Sequence, residues 1–368
     1  MGPRPPGLAR STTHPLLPAE RVRAGSRLAE LTTLRVGGPA ARVVTADTAD
    51  GIVAAVREAD AAGEPVLLVG GGSNLVVADE GWPGVAVLLR SRGVETRRDG
   101  DRVELTVQAG EPWDDLVARA VADGLAGIEC LAGIPGLAGA TPVQNVGAYG
   151  QEVAETITAV RVWDRPAAAV RDLPPAACGF AYRDSVFKHS DRYVVLAVTF
   201  ALAALPLSAP IRYAELARAL GVAVGEQAKP GEVRDAVLGL RRAKGMVLDP
   251  ADPDTASVGS FFTNPVLAPA GLAAFEARLP PATPYPSWPA AGGGTKLSAA
   301  WLIEHSGFGK GYGDGRVRLS TKHTLAVTNR GGASTEEVLA LARAVRDGVR
   351  GRYGVTLTPE PLLVGVSL

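Results

Sequence analysis

Cysteine is scarce: two residues, Cys130 and Cys178, among 368. So few thiols exclude a disulfide framework and a structural zinc site, and both are expected to be buried and inert. Histidine is nearly as rare. His14, His189, His305 and His323 show no helical i,i+4 ligand pair, so no metal is expected. Net charge of either sign is lacking too, because 38 Lys+Arg balance 38 Asp+Glu. That balance gives no electrostatic case for a nucleic-acid or polybasic membrane binder. Long apolar runs are missing as well. Tyr193–Leu205 falls short of the ~20 residues that a membrane helix needs and reads as a buried strand. Met1 to about Pro18 lacks the apolar core of a signal peptide. A soluble, cytoplasmic protein is expected, with residues 1–20 as a disordered tail.

What is present is apolar substance, 46% of the chain, enough for two or three domains at ~100–200 residues each. Ala41–Thr45 reads as a strand. Thr48 can cap a helix whose apolar face is Ile52, Val53, Val56 and Ala59. Pro65–Gly70 is a strand running into glycines, and Arg102–Gln108 is another. Pro112 opens a helix with Leu116, Val117, Ala120 and Val121 on its core face, which Gly124 ends. Further helices are expected at Gly231–Lys244, at Ser298–His305 and from Ser334, where Glu337 completes a capping box. The stripe of that last helix is Val338, Leu341, Ala342, Val345 and Val349. Val355–Leu357 is strand-like. Pro280–Gly294 reads as loop.

Two glycine-rich segments carry the chemistry. Gly70-Gly71-Gly72-Ser73-Asn74 follows a strand, and such glycines can aim backbone N–H groups at a phosphate. It is not the nicotinamide-type turn, because Leu75 stands where G-x-G-x-x-G requires its third glycine. Residues 133–150 form a second stretch of small side chains, with Ile134, Pro135, Gly136, Gly139 and Ala140, then Gln144, Asn145, Gly147, Ala148, Tyr149 and Gly150. A loop this long inside a domain is usually functional. Two such patches can grip an extended ligand. Three more motifs lie downstream: Tyr182-Arg183-Asp184-Ser185, Gly259-Ser260-Phe261-Phe262-Thr263-Asn264, and Glu360 between two prolines. Ser185 and Lys188 fit S-x-x-K, but the S-D-N and K-T-G partners of a serine acyl enzyme are missing.

Together with Thr32-Thr33-Leu34-Arg35-Val36-Gly37-Gly38, and in this order over about residues 26–365, these motifs resemble the UDP-N-acetylenolpyruvoylglucosamine reductases, the MurB family. The strings Gln-Asn-Val-Gly-Ala-Tyr-Gly and Gly-Ser-Phe-Phe are the specific ones. The resemblance implies an α+β fold of the vanillyl-alcohol-oxidase-like (PCMH-type) FAD-binding class. Two FAD-binding subdomains would span 21–92 (joined by the C-terminal strand 355–368) and 93–207, with a substrate-binding domain at 208–354. It also implies non-covalent FAD, NADPH as hydride donor, enolpyruvyl-UDP-N-acetylglucosamine as substrate, and a monomer. Arg183, Ser260 and Glu360 take the catalytic positions. The residues of the two glycine-rich segments take the cofactor positions, and Tyr182, Tyr213, Lys244, Asn264, Lys296 and His323 the substrate positions. Tyr213 resembles the lid tyrosine of one subgroup. The chain departs from the family pattern at Gly309–Arg316, where Asp314 splits a Gly-Gly pair, and at Thr263, which is often basic in relatives.

Two other classes remain open. Another flavoenzyme of the same fold often tethers its flavin through His or Cys, and no histidine is expected in the flavin loops. A non-enzymatic flavin- or nucleotide-binding protein would not need Arg183, Ser260 and Glu360 together.

Overall fold

The computed structural model describes residues 27–368; the tail expected at 1–20 lies outside the described residues. The first unit contains β1 (Ala40–Ala46), α1 (Ala49–Ala62), β2 (Val66–Val69), β3 (Leu75–Val77) and β4 (Trp82–Leu89). Strands β1, β4 and β2 form a parallel sheet in the order β1-β4-β2. The local signals act as expected. Thr48 accepts from the Gly51 amide, and Gly63 closes α1 at φ +64° with its amide returned to the helix. Ile52, Ala55, Val56 and Ala59 face the sheet on one helical stripe.

The second unit holds β5 (Val94–Asp99), β6 (Arg102–Gln108), α2 (Trp113–Ala122), β7 (Gly147–Ala148), β8 (Gln151–Glu152), β9 (Ile157–Asp164), β10 (Ala169–Leu173) and β11 (Tyr193–Ala203). An antiparallel sheet of order β10-β9-β11-β6-β5 forms its centre. The apolar run at 193–203 is that sheet's middle strand, and both of its faces are covered: Val194 and Leu196 pack into the core beneath α1, Val195 and Val198 into the core of this unit. Trp113 is buried against Phe200 and donates from Nε1 to the Leu131 carbonyl at 3.0 Å. Two helices, α3 (Ala214–Leu220) and α4 (Pro230–Ala243), pack into this same core through Leu216, Val233, Val237 and Leu238.

A separate core lies beneath β12 (Val266–Leu267), α5 (Pro269–Glu276), β13 (Ser287–Pro289), β14 (Thr295–Leu297), α6 (Ala299–His305), β15 (Val317–Leu319), β16 (Val327–Asn329) and α7 (Thr335–Tyr353). Helix α7 starts with the expected capping box of Ser334 and Glu337. Its next free amides, those of Thr335 and Glu336, donate to the Asp79 carboxylate. The first unit therefore caps a helix of the third. Leu339 joins the stripe of α7 as a fully buried residue, while Leu341 is only partly covered.

Two expectations need correction. Val355–Leu357 is not a strand: Val355 and Leu357 are buried as irregular extended chain, and Pro359 and Pro361 then remove two ladder donors. The strand comes later, as β17 (Leu362–Val364), and pairs in parallel with β3. The loop expected at 280–294 contains β13, the edge strand of a three-stranded sheet of order β12-β14-β13.

Ser334→Ala removes the side-chain half of the capping box, and a cost of about 1 kcal/mol is expected. Urea unfolding should show a lower midpoint with an unchanged slope. An unchanged midpoint would mean that Asp79 alone satisfies this helix end.

Candidate active site

A cavity of about 470 Å³ opens between the units, lined by both glycine-rich segments together with Arg183, Ser260 and Glu360. Gly70–Asn74 and residues 134–140 touch one another along its wall. Ser73 Oγ donates to the Pro135 carbonyl at 3.0 Å. A Cβ at Gly71 would meet Gly136 Cα at 2.7 Å, and one at Gly72, where φ is +63°, would strike the Leu31 carbonyl. These glycines are needed for close backbone approach. Gly72 and Asn74 give their carbonyls to Thr33 and Leu362. Among the described residues no backbone carbonyl accepts from the amides of Gly71, Gly72 or Ser73. A run of unengaged amides at a cavity wall is a nest for an anion such as a diphosphate.

Ser260 and Glu360 are 100 positions apart in the chain, yet they meet through the backbone. The Glu360 amide donates to the Phe261 carbonyl at 2.9 Å, Phe262 bridges Pro359, and the Thr263 amide donates to the Thr358 carbonyl at 3.1 Å. The rings of Phe261 and Phe262 are sunk in the core, edge to face at 5.2 Å. The serine and the carboxylate are thus presented by one short antiparallel pairing whose anchor is apolar. No hydrogen bond to the Ser260 hydroxyl is formed among the described residues.

Arg183 completes the cluster. Its Nε lies 3.2 Å from Glu360 Oε1. Nη2 donates to the Gly147 carbonyl at 2.6 Å, and Nη1 reaches that of Asn145 at 3.4 Å. Its backbone sits at φ +55°, a region that non-glycine residues rarely occupy, and Lys188 holds it there through the Arg183 carbonyl at 2.8 Å. Burial pushes the Glu360 carboxyl above the ordinary range, while Arg183 and Lys188 pull it back; burial is the larger effect.

The cofactor positions divide in two. Asn74 and Gln144 line the cavity, but their amides also tie to each other at 3.3 Å and to Glu360 through long contacts of 3.4 and 3.5 Å. Asn145 is buried and points away, donating to Glu152 and Ala181. Ala148 pairs with Gln151, and Gly150 packs on Arg212. Tyr149 turns toward Tyr213, their rings edge to face at 5.5 Å, with the Lys244 ammonium 5.7 Å from its centroid. Lys244 also pairs with Glu215 at 2.6 Å. His323 belongs to this second group, and its pKa is pulled down to about 4 by burial, with Lys244 and Lys310 adding to the effect. Tyr182, Asn264 and Lys296 form a third group beside Arg183: Tyr182 lies near Asn264, whose Oδ1 accepts from the Ala299 amide at 2.9 Å, and the Lys296 ammonium is 4.6 Å from the Tyr182 ring centroid.

The side chains of Ser185 and Lys188 do not pair, although the Lys188 amide donates to the Ser185 carbonyl at 3.2 Å. Ser185 donates to the Val143 carbonyl at 2.6 Å, and Lys188 serves Arg183. His189, outside both glycine-rich segments, also lines the cavity. Cys130 does not; it is buried, and its thiol is pushed far up by loss of water. Arg241 was missed by the sequence analysis. It lines the cavity with Nη2 donating to the Met246 carbonyl at 2.9 Å and a buried Nε that has no partner. An unsatisfied buried cation at a cavity wall is a fit for an anionic or carbonyl-bearing ring edge. Only its place three residues before Lys244 on α4 could have signalled it.

Among the described residues no group of three or more His, Cys, Asp or Glu could hold a metal, and no helix is long and apolar enough to cross a membrane.

A family profile described as "UDP-N-acetylenolpyruvoylglucosamine reductase, C-terminal domain" matches residues 250–364, and one described as "FAD binding domain" matches 40–173. The chain is 58% identical over 345 residues to the UDP-N-acetylenolpyruvoylglucosamine reductase of Salinispora arenicola, covering 93% of this chain and 95% of that protein. It is 56% identical over 347 residues to that of Thermobifida fusca, covering 93% and 97%. The crystal structure of UDP-N-acetylenolpyruvylglucosamine reductase (MurB) from Thermus caldophilus aligns with a TM-score of 0.62 at 25% identity, over 92% of this chain and 97% of that one.

The two perturbed groups give pH slopes of opposite sign. His323, depressed from 6.5 to about 4, is neutral when folded but takes a proton when unfolded, so its contribution is present above pH 6.5 and lost as pH falls toward 4. Glu360, raised above 4.5, holds a proton only when folded, so its contribution is present at low pH and lost as pH rises through its folded pKa. Urea midpoints across this range should favour His323→Gln over the parent increasingly toward acid, and Glu360→Gln increasingly toward neutral. Parallel profiles for all three proteins would remove both assignments.

Proposed function

The chain belongs to the UDP-N-acetylenolpyruvoylglucosamine reductase family, and on that premise we propose that Arg183, Ser260 and Glu360 carry the chemistry of its reaction. The protein is an FAD-dependent oxidoreductase, a UDP-N-acetylmuramate dehydrogenase. It uses NADPH to reduce the enolpyruvyl ether of UDP-N-acetylglucosamine to UDP-N-acetylmuramate in peptidoglycan biosynthesis. Bound FAD supplies the relay of hydride from NADPH to the substrate. The residues present fit that group: among the described residues the amides of Gly71, Gly72 and Ser73 are unengaged by backbone carbonyls at the cavity wall and would suit its diphosphate, and the buried Arg241 Nε has no acceptor.

The observation that carries the assignment is the backbone pairing that sets Ser260 and Glu360 side by side, with Arg183 against the carboxylate. Hydride addition at C3 of the enol ether leaves negative charge on C2 and on the adjoining carboxylate. Arg183 stabilises that charge with charge-assisted hydrogen bonds. Glu360, its carboxyl raised by burial, stays protonated more readily and donates a further bond. Ser260, whose hydroxyl has no other engagement, gives its proton to C2. Tyr213, Lys244 and His323 on one side and Tyr182, Asn264 and Lys296 on the other are proposed to hold the sugar nucleotide, with Tyr213 as a lid.

We also propose the division into 21–92 with 355–368, 93–207 and 208–354, of which α3 and α4 share the middle unit's core. A cytoplasmic monomer that binds only small molecules accords with the balanced charge.

Two outcomes check this. Acid or urea denaturation should release all FAD into the filtrate; flavin that stays with the protein would point to a tether at His189 and to an oxidase. Ser260→Ala should keep FAD and be reduced by NADPH at the parent rate, while its reoxidation by substrate slows ~10²–10⁴-fold, the usual worth of a positioned general acid. Normal reoxidation would assign the proton to water or another group.

A further inference from the structure

We propose that a second cavity, separate from the one that holds Ser260, binds a phosphate or the phosphoryl end of a small phosphate monoester. It measures about 390 Å³, and its wall joins Arg35, in the stretch leading into β1, to Asp252, Asn329, Arg330, Gly331 and Gly332. None of these six residues lines the Ser260 cavity.

Two cations meet there with donors to spare. Arg35 is exposed, and among the described residues its guanidinium has no ion pair and no hydrogen-bonded acceptor. Arg330 pairs through Nη2 with Asp254 Oδ1 at 2.5 Å, and its buried Nε has no partner. Gly331 and Gly332 form a turn at φ +121° and +66°, and the Gly332 amide reaches no acceptor among the described residues. Guanidinium forks and a free amide on such a turn suit the oxygens of a tetrahedral dianion. One carboxylate, Asp252, stands on the same wall, but Lys322 pairs with it at 2.5 Å and its Oδ1 accepts from the Asp254 amide. Asp254 is in turn engaged by Arg330 and Thr321. The charge left over is that of Arg35, so the wall is positive.

The two cations are held in place from behind. Arg35 sits at φ +58°, and the buried Asn329 ties it there. Its Nδ2 donates to the Leu34 and Arg35 carbonyls at 3.0 and 3.2 Å, while Oδ1 accepts from the Gly331 and Ala333 amides at 2.8 and 3.3 Å. One side chain thus joins the segment carrying the first cation to the turn carrying the second. The same seam continues toward the reacting centre. The Thr33 amide donates to the Gly72 carbonyl, and its hydroxyl donates to that of Ser257 at 2.6 Å, three residues before Ser260. An anion bridging Arg35 and Arg330 therefore fastens a junction that also borders the glycine nest and the serine. The cavity is larger than one phosphate, and Pro250, Pro253 and Ala256 leave an apolar side for an organic tail.

The test reads binding of inorganic phosphate to the FAD-loaded enzyme from phosphorus-31 line broadening at constant ionic strength, with glycerol 3-phosphate in a parallel series. Arg35→Gln should weaken phosphate binding about tenfold or more, the usual worth of hydrogen bonds to a charged group, and Arg35→Lys should recover part of it. Asp252→Asn, which removes the wall's carboxylate but keeps an acceptor, should tighten it. Arg35 is exposed, so its variants should keep the parent's melting temperature, flavin content and rate of reduction by NADPH. Tighter binding of the monoester would give the rest of the cavity to an organic tail, and equal binding would identify free phosphate as the ligand. Equal phosphate binding in the parent, Arg35→Gln and Asp252→Asn overturns the site, as does an absence of broadening with the parent. So does broadening that UDP displaces while Arg35→Gln leaves it unchanged, because the anion would then lie in the main cavity.

Discussion

The hydrogen bond from the Glu360 amide to the Phe261 carbonyl fixes the reacting centre. It is one bond of a pairing only three residues long, and in isolation it would be weak. Its strength comes from its setting. Phe261 and Phe262 bury their rings in the third core, and prolines on either side of Glu360 limit the backbone states that must be given up on ordering. Ser260 lies one residue before this anchor and the carboxylate lies opposite it. Arg183 is then drawn in by the carboxylate and by two carbonyls of the glycine-rich segment. The glycine-rich segment, Ser260 and the Arg183–Glu360 pair are held in register by packing that lies behind them.

Much of this was legible in the sequence where the determinants are local. The capping box at Ser334, the Thr48 cap and the helical stripes of α1, α2 and α7 could be read because caps and periodicity act within a few residues. The resemblance of the ordered motifs to a known family grouped Arg183, Ser260 and Glu360. What could not be read depends on partners distant in the chain. Val355–Leu357 alternates like a strand, but prolines farther on delay the pairing to Leu362–Val364. Asp79 carries no local sign that it caps α7. Arg241 is one basic residue of several on α4, and its orphaned Nε exists only once the units close around it. His189, outside both glycine-rich segments, reaches the cavity only because the turn before β11 bends back to it.

The polar groups around the centre are arranged in two opposed walls. On one, Tyr149, Tyr213, Lys244 and Glu215 are linked by a ring pair, a cation–ring contact and an ion pair. On the other, Lys296 stands between two rings with no carboxylate partner among the described residues. An anion arriving between them must displace Glu215 to engage Lys244 but meets Lys296 free. The two lysines are therefore unequal: one has its charge already compensated and can move with the tyrosine beside it, and the other is fixed and waiting.

The parallel pairing of β17 with β3 joins Leu362 to Leu75 across most of the chain, and it borders the loop that receives the cofactor. Closing so long a loop costs entropy before any contact compensates for it. The glycine nest can form locally, early in folding, but its far border cannot. Cofactor capture that needs this border therefore waits on a pairing between distant parts of the chain, and recovery of the flavin's protein-bound spectrum during refolding is expected to follow a late step of assembly.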